Sequence, residues 1–244
     1  MDKEHLLVIP ARYQSSRFPG KPLADIKGKS MLQRVWEKCV GSTSPENVIV
    51  ATDDLRIKDH CNDLEINVIE TPKECLTGTD RVAEVAKKLK AKFYVNVQGD
   101  EPLINSDDIE KVIDSYDHES NVSVCAMTGI QTSEDFYNTN IPKVVTDQNL
   151  KLLYISRAGI PASKDQKYFQ GMKQVCIYAL SPAALAEFGV SKKKTENELI
   201  EDIEILRLLD KGYEVKMVEV SDSSVAVDIK EDITKVLEKL NEEL

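Results

Sequence analysis

The first hundred residues alternate short apolar runs with amphipathic stretches, and this alternation limits the fold more than any other feature. The runs HLLVIP, NVIVATDD, INVIE and KFYVNV are rich in β-branched and aromatic residues, which indicates buried strands. Between them lie SMLQRVWEKC, LRIKDHCNDL and DRVAEVAKKLK, whose apolar residues fall at helical spacing. A repeated strand–helix order predicts a mostly parallel sheet with helices on both faces.

The rest of the chain has a different pattern. NVSVCAMTGI, IPKVVTD, LKLLYISR and VCIYAL are closely spaced strand-like runs, which predict antiparallel additions. ENELIEDIEILRLLDKG predicts one long helix that ends at Gly212, with its acids on a solvated face and a core stripe of Ile200, Ile203 and Leu206. The predicted fold class is α/β, with a mostly parallel central sheet and an inserted antiparallel extension. Residues 1–244 form a single domain in this interpretation, and the strand-rich insertion spans about residues 121–180.

Composition and charge narrow the possible partners. The chain has 42 Asp and Glu against 32 Lys and Arg, a net charge of −10, which argues against nucleic acid or an anionic membrane surface as partner. No apolar run approaches the ~20 residues of a membrane span, and acids precede the short first apolar run, unlike a signal peptide. Five scattered cysteines, an odd number, argue against a disulfide framework or a zinc site. These features predict a cytoplasmic protein.

One segment departs from the acidic balance. IPARYQSSRFPGKPL follows the first predicted strand and contains Arg12, Arg17 and Lys21 but no acid. Ligands of open α/β sheets bind beyond the carboxyl ends of the strands, where forked arginines and a lysine suit phosphate. The segment is not a P-loop, because Ser15 and Pro22 stand where that motif needs glycine and a hydroxyl residue. It therefore predicts a polyanion site, and a solvated surface turn is the alternative.

Three further segments carry candidate site residues. VQGDEP places Asp100 just after a predicted strand, and VAVDIKED places Asp228 before the last predicted helix. Magnesium takes one or two carboxylates together with phosphate oxygens, so these acids are candidate metal ligands. TGTDR, residues 77–81, offers hydroxyls, a glycine and a cation at a helix start, which suits a polar ligand. An ordinary turn for VQGDEP and helix capping for the other two segments are the alternatives.

Together these segments resemble the 3-deoxy-manno-octulosonate (Kdo) cytidylyltransferases, the CMP-Kdo synthetases. The resemblance also includes VATDD, PKVV, YISRAGIP, IYAL and IEILR, in the order of the family and over nearly the whole chain. It implies a Rossmann-like nucleotidyltransferase fold, and transfer of CMP from CTP to a sugar acid with release of pyrophosphate. It implies a homodimer as well, for which the strand-rich insertion at about residues 121–180 is the predicted dimerisation segment. It also implies a role in lipopolysaccharide or capsule synthesis.

The resemblance further implies roles for individual residues. The catalytic residues would be Arg12, Lys21 and Asp100, and the magnesium ligands Asp100 and Asp228. The nucleotide-binding residues would be Ala11, Arg12, Ser16, Arg17, Lys21, Thr77, Gly78, Thr79, Arg81 and Gln98. The sugar-binding residues would be Arg157, Gln174, Tyr178, Glu204 and Ile205.

The sequence departs from the family pattern in the sugar-binding part. Gln174 replaces the usual His, Cys176 replaces Gly and Ile205 replaces Gln. A nucleotidyltransferase for a different sugar or sugar acid is therefore one alternative. A non-catalytic nucleotide-binding module is another, but it would have no need of both magnesium carboxylates.

Overall fold

The computed structural model describes residues 3–15, 17–120, 122–165, 167–190, 193–222 and 224–242. The strands are β1 (Lys3–Pro10), β2 (Asp25–Ile26), β3 (Lys29–Ser30), β4 (Val48–Thr52), β5 (Val68–Glu70), β6 (Ala91–Val97), β7 (Ser123–Gly129), β8 (Lys143–Thr146), β9 (Leu152–Ser156), β10 (Met172–Leu180) and β11 (Val215–Glu219). The helices are α1 (Met31–Ser42), α2 (Leu55–Asp63), α3 (Gly78–Lys88), α4 (Ser106–Asp114), α5 (Ser133–Tyr137), α6 (Pro182–Val190), α7 (Glu196–Glu201), α8 (Leu206–Asp210) and α9 (Asp232–Glu242). Within these ranges, no helix is long and apolar enough to cross a membrane.

One large sheet organises the described residues, with the strand order β11-β7-β10-β6-β1-β4-β5. β1 pairs in parallel with β4 and β6, as do β4 with β5 and β7 with β11. β10 runs antiparallel to β6, β7 and β8, and β9 extends the sheet from β8. The predicted α/β fold class with antiparallel additions is confirmed. The single-domain division and a dimerisation role for residues 121–180 stay predictions.

Local sequence signals explain the first half of the fold. Residues 6–9 of β1 are fully buried, because helices cover both faces of the sheet, and they alternate between two core clusters. The Ser30 hydroxyl caps α1 by accepting a hydrogen bond from the Gln33 N–H at 3.0 Å. Thr77 caps α3 in the same way through the Asp80 N–H at 3.2 Å. All five cysteines are free thiols, as the sequence predicted.

The prediction of one long helix over ENELIEDIEILRLLDKG is wrong. α7 ends at Glu201, Asp202 adopts a left-handed conformation with φ of 50°, and α8 begins only at Leu206. The predicted pattern of faces is also wrong, because Ile200 is 73% exposed and Glu198 is fully buried. Contacts distant in sequence stabilise the break, since the Arg157 guanidinium donates to the backbone carbonyl oxygens of Glu201 and Asp202.

Candidate active site

The carboxyl ends of β1 and β6 meet the start of α3 at the centre of the candidate site. A Cβ atom added to Gly99 would lie 3.0 Å from the carbonyl oxygen of Pro10. A Cβ atom at Gly78 would lie 2.9 Å from Nε2 of Gln98 and 3.1 Å from the Pro10 ring. At Gly99 the neighbour is backbone, which would have to shift to admit a side chain, whereas at Gly78 the Gln98 side chain would have to move. Gln98 thus lies against residues 77–81, so the two segments predicted to bind the nucleotide are adjacent.

The cationic loop, residues 11–24, is shaped by a turn at Gly20. The Gly20 N–H donates to the Tyr13 carbonyl at 2.9 Å, and the φ of 75° at Gly20 strongly favours glycine. A Cβ atom there would also lie 3.0 Å from the Tyr13 ring. The Arg56 guanidinium stacks on this ring, 3.3 Å from its centroid. The turn leads into a 3₁₀ turn over Lys21–Leu23, which directs the lysine towards the sheet.

Two cations of this loop pair with the two predicted magnesium ligands. Nζ of Lys21 lies 2.8 Å from Oδ2 of Asp100 and donates to the Val227 carbonyl at 2.7 Å. Nη2 of Arg17 lies 2.8 Å from Oδ1 of Asp228. The Val227 N–H donates to the carbonyl oxygen of Asp100 at 2.9 Å, which brings the two acidic segments together. Part-exposed ion pairs contribute only ~0–1 kcal/mol, so their partners are easily exchanged for a ligand.

The remaining predicted residues of the first loop differ in exposure. Arg12 is exposed, and no residue that the structure describes accepts a hydrogen bond from it. The hydrogen bond from Lys194 is the main cause that lowers the pKa of Asp202, and the charges of Lys194, Arg157 and Arg12, in that order, lower this pKa further. Ala11 is buried and joins β1 to β4 through its N–H, which donates to the Ala51 carbonyl at 2.8 Å. Ser16 lies outside the described residues.

Glu204 occupies the N-terminus of α3. Its carboxylate accepts hydrogen bonds from the N–H groups of Gly78 and Thr79 at 2.9 and 3.0 Å, and from the Thr79 hydroxyl. Burial raises the pKa of Glu204, and these hydrogen bonds oppose that shift. A predicted sugar-side acid therefore contacts the predicted nucleotide-side segment, and it satisfies N–H groups that a helix start otherwise leaves unpaired.

Arg81 and Arg157 both bind other parts of the protein. Arg81 is buried, with Nη2 3.0 Å from Oδ1 of Asp53 and Nη1 2.7 Å from the Thr71 hydroxyl. The Arg157 guanidinium donates to the carbonyl oxygens of Glu201, Asp202 and Thr139, the last at 3.0 Å. In this structure these cations therefore stabilise loops.

Three predicted sugar-side residues lie on or beside β10. Nε2 of Gln174 donates to the Tyr178 hydroxyl at 3.0 Å, across a bulge in the strand. Tyr178 is 3% exposed, and burial raises its pKa well above the usual value. Ile205 is fully buried in the same core cluster as Tyr178. Only Gln174 of these three is half-buried and within reach of a ligand without a change in the core.

The sequence analysis missed Glu101, which is 5% exposed beside Asp100. Its Oε1 accepts a hydrogen bond from the Cys176 N–H at 3.3 Å, and its Oε2 accepts one from the Ser224 hydroxyl. Burial raises the pKa of Glu101. The available signal was a second acid directly after a buried strand, and nothing in VQGDEP shows which of the two acids points inwards.

The sequence analysis also missed a buried ion cluster under α3 and α7. The Arg207 side chain is fully buried and lies 2.8 Å from Oδ1 of Asp80 and 2.6 Å from Oε1 of Glu198. Asp80 also accepts a hydrogen bond from the Thr77 hydroxyl at 2.6 Å. Phe188 packs against the guanidinium, 4.4 Å from its ring centroid. This cluster fixes the segment that carries Glu204.

Comparison with known proteins decides the family. The profile of a cytidylyltransferase family matches residues 6–229. The chain belongs to this cytidylyltransferase family. The predicted nucleotidyltransferase enzyme class is thereby confirmed.

Individual relatives of this cytidylyltransferase confirm the resemblance stated above. The chain is 38% identical over 242 residues to the 3-deoxy-manno-octulosonate cytidylyltransferase of Protochlamydia amoebophila. This alignment covers 96% of this chain and 93% of that one. The enzyme of the same name from Geotalea uraniireducens is 40% identical over 245 residues, over 96% and 97% of the two chains. A solved structure of CMP:2-keto-3-deoxy-manno-octonic acid synthetase complexed with CTP superposes with a TM-score of 0.90 at 33% identity, over 99% of this chain and 100% of that one.

Proposed function

We propose that this cytidylyltransferase couples CTP to Kdo, giving CMP-Kdo and pyrophosphate for lipopolysaccharide or capsule synthesis. The observation that carries the proposal is the pairing of Lys21 with Asp100 and of Arg17 with Asp228 at the sheet edge. A site for a triphosphate and a divalent cation needs cations and carboxylates at one place. Identity of 38–40% to Kdo cytidylyltransferases supports the choice of substrates.

The cationic loop acts by charge and position in this proposal. The anomeric hydroxyl of Kdo attacks the α-phosphorus of CTP, a new oxygen–phosphorus bond forms, and the bond to pyrophosphate breaks. Lys21 and Arg17 exchange their carboxylate partners for phosphate oxygens, and the exposed Arg12 is placed to do the same. Cations held in position stabilise the charge that develops on the phosphates, and positioning supplies most of the remaining rate.

The two carboxylates fit a magnesium ion. They offer only oxygen ligands, their side chains are 32% and 35% exposed, and their present partners are cations in part-exposed ion pairs. Asp100 and Asp228 would hold the ion, which when bound neutralises phosphate charge. Within the described ranges, no group of three or more His, Cys, Asp or Glu could hold a metal. Phosphate oxygens and water would complete the ligand set.

We also propose that the enzyme is a cytoplasmic homodimer that associates through residues 121–180. Large apolar side chains exposed in this part of the chain support the idea, namely Tyr137, Leu150, Leu153 and Phe169. Sedimentation equilibrium measures the mass in solution, and charged substitutions at Leu153 and Phe169 should reduce any dimer found. A monomer at micromolar concentration would contradict this part of the proposal.

A nucleotidyltransferase for another sugar or sugar acid is the second candidate, and the half-buried Gln174, at a position where the family pattern has His, favours it. Pyrophosphate release from CTP, measured over Kdo and other 2-keto-3-deoxy acids, separates the two candidates. We expect Kdo to give the highest kcat/KM. Asp100→Asn should lower turnover by at least ~10²-fold, because it removes a charged ligand that stabilises the transition state.

The control for this experiment is Asp107→Asn, the same chemical change on an exposed acid of α4, which should leave turnover unchanged. Circular dichroism checks that both variants are folded. Release with none of the sugar acids would contradict the transferase proposal. Near-normal turnover of Asp100→Asn at saturating magnesium would contradict the metal assignment.

A further inference from the structure

Glu101 connects three separate parts of the chain. Its carboxylate accepts one hydrogen bond from the backbone N–H of Cys176, at the bulge of β10, and one from the hydroxyl of Ser224. The Gln98 N–H donates to the Cys176 carbonyl at 3.2 Å, so both the N–H and the carbonyl of this bulge residue are bound by the end of β6 and the loop after it. Gln98 and Glu101 thus attach the end of β6 to β10, and Glu101 also binds Ser224.

The segment that carries Asp228 depends on such contacts for its position. Residues 224–228 lie beyond the end of β11 and have no regular secondary structure. Val227 bonds to the Asp100 backbone and to the Lys21 side chain, and Ser224 bonds to Glu101. Two consecutive residues of the β6 loop therefore hold the segment at two points, three residues apart.

We propose that Glu101 is a positioning residue that fixes Asp228 relative to Asp100 by tethering Ser224 to the β10 bulge. The inference rests on the proposed function, in which these two acids hold the metal. Glu101 is 5% exposed and its oxygens face protein donors, so it acts through Asp228. Residues that orient metal ligands affect metal affinity or activity by ~10–100-fold when they are removed.

The two hydrogen bonds of Glu101 can be tested separately from its negative charge. Oε1 of Glu101 faces an N–H group, which can only donate, whereas Oε2 faces a hydroxyl, which can donate or accept. The variant Glu101→Gln can therefore keep both bonds, with its carbonyl oxygen on Cys176 and its amide nitrogen on Ser224. Glu101→Ala loses both bonds, and Ser224→Ala loses one while the rest of the loop stays intact.

Asp108 provides a matched control on the same part of the chain. It is 7% exposed on α4, and its carboxylate accepts hydrogen bonds from the Ser221 N–H at 3.0 Å and from the Ser221 hydroxyl. Like Glu101, it is a buried acid that holds a serine beyond β11. Asp108→Ala should therefore lower the stability of the protein without a specific effect on the metal ligands.

The experiment measures the binding of Mn²⁺, a spectroscopic substitute for Mg²⁺, to the folded protein. The electron paramagnetic resonance signal of the free ion gives the fraction that is not bound. We expect Glu101→Ala to raise the Mn²⁺ dissociation constant by ~10–100-fold. Ser224→Ala should give an intermediate rise and serves if Glu101→Ala does not fold. Glu101→Gln and Asp108→Ala should bind Mn²⁺ like the unaltered protein.

Unchanged Mn²⁺ binding in Glu101→Ala, or in Ser224→Ala if Glu101→Ala does not fold, would overturn the inference. Equal losses of Mn²⁺ binding in Glu101→Gln and Glu101→Ala would overturn it as well. An equally large change in Asp108→Ala would also overturn it, because the effect would then follow general stability. The unaltered protein and Asp100→Asn test the underlying function separately. Suppose that the unaltered protein is active and that Asp100→Asn loses both turnover and Mn²⁺ binding. Unchanged Mn²⁺ binding in Glu101→Ala would then reject only the positioning role.

Discussion

The two halves of the candidate site are built in different ways. The phosphate half (Arg12, Arg17, Lys21, Asp100, Asp228) consists of cations and acids whose paired side chains are 15–55% exposed. The sugar half (Arg157, Gln174, Tyr178, Glu204, Ile205) is bound largely to the protein itself, through backbone groups, a buried hydroxyl and the core. The first half can accept a ligand by exchanging ion-pair partners, whereas the second must break internal hydrogen bonds to do so.

This difference predicts opposite effects of mutation. Substitutions in the phosphate half should lower turnover and leave the free energy of unfolding almost unchanged, because exposed ion pairs contribute little to stability. Substitutions at or beneath the sugar half should lower stability first, because they leave buried polar groups without partners.

Arg207→Ala tests the support beneath the sugar half. Removing the guanidinium leaves Asp80 and Glu198 buried without their cation, which should lower the free energy of unfolding by about 3–5 kcal/mol. Urea unfolding followed by circular dichroism measures this change. Lys58→Ala, which breaks an exposed pair with Glu70, is the control and should have almost no effect. Equal stability of the two variants would show that the cluster does not support this half.

The break between α7 and α8 shows where prediction from sequence fails in the fold. The caps at Ser30 and Thr77 follow from local sequence, because their partners lie three residues away. The left-handed residue Asp202 was not predicted, because Arg157, some 45 residues earlier in the chain, binds its carbonyl oxygen. Local pattern favours a continuous helix there, and tertiary contacts override it.

The site shows the same limit. Arg17, Lys21, Asp100 and Asp228 could be identified from their types and from the loops that hold them, and the structure brings them together. The pairing of each cation with one particular acid could not be predicted, since the pairs are 79 and 211 residues apart. The inward direction of Glu101 is likewise a property of the folded chain.

Lys21→Ala tests the phosphate half. Loss of a cation that faces developing charge should raise the activation free energy by ~2–4 kcal/mol, by analogy with the loss of one oxyanion-hole donor. The kcat/KM for CTP in the pyrophosphate assay measures this change. Lys29→Ala, which breaks a part-exposed pair with Glu37, is the control. A variant that loses stability but keeps its turnover would reverse the contrast between the two halves.

The position of Ile205 changes how sugar selection must be tested. Because Ile205 is fully buried, Ile205→Gln would place an amide in the core, at a cost of ~1–3 kcal/mol in stability if it finds no partner. Any loss of activity in that variant would mix unfolding with substrate choice. Gln174 is half-buried, and its amide donates a hydrogen bond to the buried hydroxyl of Tyr178. A substitution at Gln174 therefore gives the cleaner test.

Gln174→His should have the smallest effect. It replaces the amide that donates to Tyr178 with the residue that the family pattern has at this position, and about one hydrogen bond, ~0.5–1.5 kcal/mol, is at stake. We expect the ratio of kcat/KM for Kdo over other 2-keto-3-deoxy acids to rise by up to about tenfold, with the KM for CTP unchanged. Gln131→His, the same change at an exposed position, is the control. If Gln174→His keeps the original ratio, as the control should, residue 174 does not select the sugar and serves its internal contacts with Tyr178 and Cys125.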